Sequence, residues 1–172
     1  MLPMPIGDLN SIAAELAETG DRVRVLWQQP DSLAFVARGR EYRSEFHIDP
    51  ADEVMYMIKG EMNLHYRLPD GKADVVVVKE GCSIYTAAGI PHSPRFPPDA
   101  FLLVIERQRR EGEIDRFQWF CPQCDHFLHE EQFIVSDYRL DPVSTAYKKF
   151  FNSLEKRTCR SCKSVMANPF EI

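Results

Sequence analysis

The strongest constraint on this chain is how its apolar residues are spaced between positions 22 and 107. Residues 22–27 alternate polar with apolar, 33–37 form a short apolar run, and 42–48, 53–58, 61–68, 73–78, 83–87 and 101–107 follow at regular intervals. Each is too short for an amphipathic helix and the right length for a strand. The breaks are turn-forming: Gln29-Pro30-Asp31, Arg38-Gly39-Arg40, Lys59-Gly60, Pro69-Asp70-Gly71 and Glu80-Gly81. Proline fixes φ and glycine opens positive φ, so such clusters reverse the chain. Many short strands punctuated in this way predict an all-β sandwich or barrel.

Ahead of the strands, residues 8–19 read as one helix. Asp8, Asn10 or Ser11 can cap it, Ile12, Ala13 and Leu16 fall at helical spacing, and Gly20 stops it. Behind them, residues 109–115 are charged and carry Gly112, the composition of a linker or exposed edge. Then come Cys121-Pro122-Gln123-Cys124, an apolar stretch, a helix-like pattern over 145–155, and Cys159-Arg160-Ser161-Cys162. Two parts are expected, 1–115 with the strands and 116–172 with the paired cysteines.

The 172 residues suit one compact domain with a small appendage, and the formal charge of −5 argues against a nucleic-acid partner. No apolar run reaches the ~20 residues of a membrane-spanning helix. The first residues lack the basic and apolar regions of a secretory leader, so a cytoplasmic protein is expected. The cysteines agree, because distant CxxC pairs in a reducing compartment read as a metal site.

Two spaced strings carry the chemistry. One runs His47-Ile48-Asp49-Pro50-Ala51-Asp52-Glu53 and on to Gly60; the other runs from Gly81 to Ala87-Ala88-Gly89-Ile90-Pro91-His92. Their offsets resemble the two motifs of the cupin superfamily. That resemblance implies a double-stranded β-helix, jelly-roll-like barrel, with His47, Glu53 and His92 as metal ligands. Asp49 stands where many cupins have a further histidine, and Ala87 where proline is usual. The first departure leaves two imidazoles and one carboxylate, a set that keeps about three positions of an octahedral ion open and suits Fe(II) oxygenases. Asp49 is a rival to Glu53, whose spacing to Gly60 fits better. His65, on a strand with no partner motif, reads as a core or surface residue.

More specific strings resemble the 3-hydroxyanthranilate 3,4-dioxygenase family. They are Arg43-x-x-x-His47, Glu53-x-Met55-Tyr56-Met57-Ile58-Lys59-Gly60, His92-Ser93-Pro94 and Leu103-Val104-Ile105-Glu106-Arg107. The paired CxxC motifs match its bacterial form, which has a rubredoxin-like site. The resemblance implies catalytic and substrate-binding roles for Arg43, Arg95 and Glu106, with two arginines on the substrate carboxylate and the glutamate at its hydroxyl or amine. The family string is His-Ser-Pro-Gln-Arg, whereas this chain has His92-Ser93-Pro94-Arg95-Phe96. A one-residue deletion restores the match at Arg95; without it Phe96 takes the arginine's place. Arg43, four residues before His47 on an expected strand, shares its face. Glu106 is expected to accept the phenol proton.

The implied reaction inserts both atoms of O2 into 3-hydroxyanthranilate, a small aromatic amino-hydroxy acid, giving 2-amino-3-carboxymuconate semialdehyde. An isomer such as 4-amino-3-hydroxybenzoate, or a related o-aminophenol or catechol acid, would keep the chelating pair. A non-catalytic metal- or ligand-binding cupin is the alternative of another class. A homodimer is a family expectation.

Cys121, Cys124, Cys159 and Cys162 offer four thiolates for a second Fe or Zn. The glycine that often follows such a knuckle is replaced by Asp125 and Lys163. A structural staple is the expected role, because this ring opening needs no external reductant. His126 and His129 are expected beside the site or exposed, and Cys82 in the core.

Overall fold

The computed structural model describes residues 4–170. Helix α1 (Leu9–Thr19) begins where the Asp8 carboxylate accepts the amides of Asn10 and Ser11, and ends at Gly20, whose φ of 79° is left-handed. Eleven strands follow: β1 (Val23–Gln29), β2 (Ser32–Arg38), β3 (Phe46–Ile48), β4 (Glu53–Lys59), β5 (Glu61–Arg67), β6 (Ala73–Lys79), β7 (Ser83–Thr86), β8 (His92–Arg95), β9 (Phe101–Glu106), β10 (Asp115–Phe120) and β11 (Phe127–Phe133). Two helices close the order, α2 (Pro142–Phe151) and α3 (Leu154–Arg157).

The strands form two sheets in which every pairing is antiparallel. One has the order β1-β2-β9-β4-β7 and the other β11-β10-β3-β8-β5-β6. Alternate residues of facing strands, among them Met55, Met57, Met62, Leu64, Leu102 and Val104, fill the space between them. This is the expected double-stranded β-helix of the cupin type. On the outer face of the first sheet, α1 buries Ala13 and Leu16 against Val36, Ile58 and Phe101. Burying a leucine of this kind is worth about 1.5–3 kcal/mol.

A strand, β10, runs across the expected boundary at 115/116. β10 starts at Asp115 and pairs with β3 through Arg116↔Ile48, Phe117↔His47 and Gln118↔Phe46. The segment therefore completes the barrel sheet, and α2 packs on it through Phe150, whose ring stacks 4.3 Å from that of Trp119. The strand expected over 42–48 is reduced to Phe46–Ile48. Its earlier residues are held otherwise, the Ser44 amide donating to the Tyr147 hydroxyl on α2. β8 is unannounced because Pro91 and Pro94 read as breakers. It pairs with β3 only at His47↔His92, so the missing Pro94 amide interrupts no ladder there.

Gly39 is required by close approach, since a Cβ there would lie 2.0 Å from the Pro97 carbonyl oxygen. That contact sets the β2–β3 connection against the loop after β8, at the rim of the cavity described below. Cys82, expected in the core, is exposed at the β6–β7 turn. Among the described residues, no helix is long and apolar enough to cross a membrane.

Candidate metal centre and substrate cavity

His47 and His92 face each other across neighbouring strands of the six-stranded sheet, while Glu53 opens β4 in the other sheet. One ligand atom from each lies within 4.8 Å of the others. Glu53 Oε2 is 2.8 Å from His92 Nε2, yet that buried oxygen makes no hydrogen bond of acceptable angle. Two ligand atoms converging without donor–acceptor alignment suit a shared cation. His92 Nδ1 lies 2.9 Å from the Ile90 carbonyl, to which it donates, so Nε2 is the atom left for a metal. Burial opposes the charge on Glu53, but His92, His47 and Arg109 together hold its carboxyl below the ordinary value. Burial likewise opposes protonation of His92, and Glu53 overrides it, raising the imidazole above its usual value. A cation must displace that proton.

Asp49 also reaches the cluster. Its oxygens are already taken, Oδ1 by the Ala51 amide at 2.6 Å and Oδ2 by Arg109 at 2.6 Å. Glu53 has no such commitment, which favours it over Asp49 as the carboxylate ligand.

Arg109 and Asp115, which the sequence placed in a linker, are central to the site. The Arg109 side chain is 5% exposed and donates to both oxygens of Asp115 at 2.6 and 2.8 Å, to Asp49, and to Glu106 at 3.2 Å. Asp115 Oδ2 in turn lies 2.7 Å from His47 Nε2, so it fixes that ring. Glu106, on β9, is pushed up to about 10 by burial and by the adjacent Asp49, with Arg109 working against both. Burial and Asp49 thus work against ionisation of this carboxyl, and the Arg109 guanidinium at 3.2 Å favours it.

A cavity of about 360 Å³ opens from His47, Glu53, His92 and Glu106. Phe35, Met55, Pro94, Leu102, Val104 and Phe96 give it apolar walls, and the segment from Phe133 to Pro142 covers one side. Arg43 lines it together with His47, although Arg43 lies before β3 rather than on it. Arg95 does not line it. Along β8 the side chains alternate, so His92 and Pro94 face the cavity while Ser93 and Arg95 face away. Arg95 Nε donates to Ser93 Oγ at 3.1 Å and its guanidinium sits 5.7 Å from the Phe46 ring centre. Phe96, just past the strand, lines the cavity with His92 and Pro94.

The four thiols Cys121, Cys124, Cys159 and Cys162 also come together. Their sulfurs approach to 3.6 Å in two pairs, near the ~3.8 Å edge of a tetrahedron with bonds of ~2.3 Å. Two matching knuckles form, with Asp125 N donating to Cys121 O at 2.8 Å and Lys163 N to Cys159 O at 3.0 Å. Asp125 and Lys163, the residues replacing glycine, adopt φ of 59° and 63° and keep the knuckle shape. Arg67 grips Asp125 with two 2.7 Å hydrogen bonds, tying the first knuckle to β5. Burial opposes ionisation of Cys121, but the Ser164 hydroxyl and the amides of Gln123 and Cys124 bring its thiol down to about 6. At Cys124 the His126 amide favours the thiolate, yet Cys162, burial and Cys159 push the thiol up to about 12. The set fits a tetrahedral cation and resists holding several negative charges without one. His126 is exposed; His129 is half-buried and pairs with Glu131 at 2.8 Å.

Fold and site together define a metal-dependent cupin with a small-molecule cavity at its metal centre. The family model for 3-hydroxyanthranilic acid dioxygenase matches residues 23–151, and the chain belongs to that family. A 3-hydroxyanthranilate 3,4-dioxygenase of Bacillus cereus is 38% identical over 148 residues, covering 86% of this chain and 82% of the relative. The protein of the same name from Paraburkholderia phytofirmans is 37% identical over 81% of this chain and 80% of its own length. Among solved structures, TT1209 from Thermus thermophilus overlays 62% of this chain and all of its own, with a TM-score of 0.46 and 22% identity.

Proposed function

We propose that the protein is an iron-dependent ring-cleaving dioxygenase that opens 3-hydroxyanthranilate to 2-amino-3-carboxymuconate semialdehyde, with Fe(II) held by His47, Glu53 and His92. The observation that carries this reading is the convergence of these ligand atoms at one end of a cavity whose lining includes Arg43 and Glu106. Fe(II) held there would supply Lewis acidity and activation of O2, chemistry that side chains cannot provide.

The protein's own residues then have distinct tasks. Arg43 binds the substrate carboxylate, for which a guanidinium offers a planar fork that lysine lacks. The apolar walls hold the ring and exclude water. Glu106 handles the phenol proton. Glu106 would have to pass its own proton to solvent before taking the substrate's; Arg109 favours that ionisation, and burial and Asp49 oppose it. Beside it Arg109 pairs with both Asp49 and Asp115; burial opposes ionisation of Asp115, but His47 and Arg109 hold its carboxyl below the usual value. Both oxygen atoms enter the product, so no reductant is consumed.

The test is oxygen uptake by anaerobically Fe(II)-loaded protein, given 3-hydroxyanthranilate and, separately, 4-amino-3-hydroxybenzoate. Rapid uptake with the first, with the product's absorbance appearing in proportion, is expected. Uptake only with the isomer would mean that Phe96 and Arg43 recognise a carboxylate placed elsewhere on the ring.

A further inference from the structure

Arg43 is the arginine expected to meet the substrate carboxylate, and its own support is unusual. Its Nε lies 2.8 Å from Glu45 Oε1, but neither atom makes an aligned hydrogen bond. The pair is held by charge, so the direction of the guanidinium depends on where the Glu45 carboxylate is placed. Glu45 is fully buried. Its other oxygen, Oε2, accepts the hydroxyl of Tyr147, and Oε2 also takes the Ser44 amide at 3.3 Å. The Tyr147 oxygen in turn accepts that same Ser44 amide at 3.0 Å. One hydroxyl thus fixes both the carboxylate beside Arg43 and the backbone adjoining it.

Tyr147 cannot easily shift. It is 5% exposed on α2, and its ring is wedged by Phe151 at 5.3 Å, Phe170 at 5.6 Å, Tyr42 at 6.2 Å and Trp119 at 6.3 Å. It does not line the cavity. Arg95 belongs to the same group from behind, close enough for its charge to feel both Glu45 and Arg43. Two guanidiniums against one carboxylate leave a net single positive charge, the complement of one substrate carboxylate.

From this arrangement we infer that Tyr147 and Glu45 are positioning residues for recognition of the substrate carboxylate, acting through Arg43, and that α2 thereby sets substrate selectivity. The inference rests on the ring-cleavage reading of the cavity. Its consequence is specific: disturbing Tyr147 should weaken substrates that carry a carboxylate and spare those that do not.

The experiment compares 3-hydroxyanthranilate with 2-aminophenol, which keeps the chelating pair and lacks the carboxylate. Both are measured by oxygen uptake with Fe(II)-loaded wild type, Arg43→Ala, Tyr147→Phe and Glu45→Gln. Wild type should prefer the acid in kcat/KM, and Arg43→Ala should erase that preference. Tyr147→Phe, which removes one oxygen and keeps the ring packing, should raise KM for the acid at least fivefold with kcat within twofold, and leave 2-aminophenol kinetics unchanged. An unchanged preference in Tyr147→Phe, or an equal loss on both substrates, overturns the inference. If Tyr147→Phe does not fold, judged by its circular dichroism, Glu45→Gln is read on the same ratio. Absence of any preference in wild type would instead refute the assignment of Arg43, so the two failures are distinguishable.

Discussion

Replacing Arg109 with methionine tests the buried charge network most directly. The side chain is 5% exposed and donates four hydrogen bonds of 2.6–3.2 Å to Asp115, Asp49 and Glu106. Methionine fills similar space but leaves the acids without their cation. The acids left without it are Asp49, Asp115 and Glu106, of which Asp115 retains His47 at 2.7 Å. Removing one partner of a buried ion pair costs about 3–5 kcal/mol, because the remaining charge stays desolvated. For a chain of this size, that corresponds to a fall in Tm of roughly 6–20 °C. Urea unfolding of the metal-free protein at pH 7 measures the loss. The double variant Arg109→Met/Asp115→Asn removes one orphaned charge and should recover part of it. A loss below about 1 kcal/mol, or a double variant no better than the single one, would refute the view that these acids depend on Arg109.

Three further outcomes follow from the same geometry. Alanine at His47, Glu53 or His92 should abolish iron retention at the catalytic centre as well as turnover; full iron retention by any of the three would overturn that ligand set. Because His92 sits above its ordinary value through Glu53, and a metal must displace its proton, cation affinity should climb with pH until His92 deprotonates, by at most about tenfold per unit for each proton released. Isothermal titration across pH 6 to 8 checks this, and a flat profile would contradict it. Cys159→Ser should lower the bound-metal count by one per chain and depress Tm; unchanged metal content would mean that the four sulfurs do not share an ion.

The barrel strands were legible because alternation is a local signal that survives folding, and the three expected ligands because their motifs fix them by short offsets around Gly60 and Gly89. Arg109 and Asp115 were not. They read as a charged linker, and only their burial and their bonds to Asp49 and His47 show that they turn inward. A signal did exist in the alternation Asp115, Phe117, Trp119, the buried positions of a strand, but its polar first member hid it. Arg95 and Phe96 set two sequence signals against each other. Motif alignment favoured Arg95 with a one-residue deletion, whereas the period-2 rule, applied forward from His92, puts Pro94 and then Phe96 in the cavity. Glu45 was invisible for a different reason: its partner Tyr147 lies 102 residues away, and no local pattern encodes that pairing.

β10 links the cysteine segment to the barrel. Its inward residues run Asp115, Phe117 and Trp119, and the next alternate position is Cys121. The first holds His47, the second packs 5.3 Å from the His47 ring, the third stacks on α2, and the last is one of the four clustered thiols. A one-residue slip of this strand would turn all four away together. Arg67, gripping Asp125 with its guanidinium 3.6 Å over Phe120, resists that slip from the barrel side. A cation shared by Cys121, Cys124, Cys159 and Cys162 would resist it from the other. It would also close the loop that contains α2, and so hold Tyr147 against Glu45. The staple is therefore connected to both ends of the proposed chemistry, to His47 through Asp115 and to the carboxylate clamp through Tyr147. A purely structural ion can thus tune substrate affinity without transferring an electron.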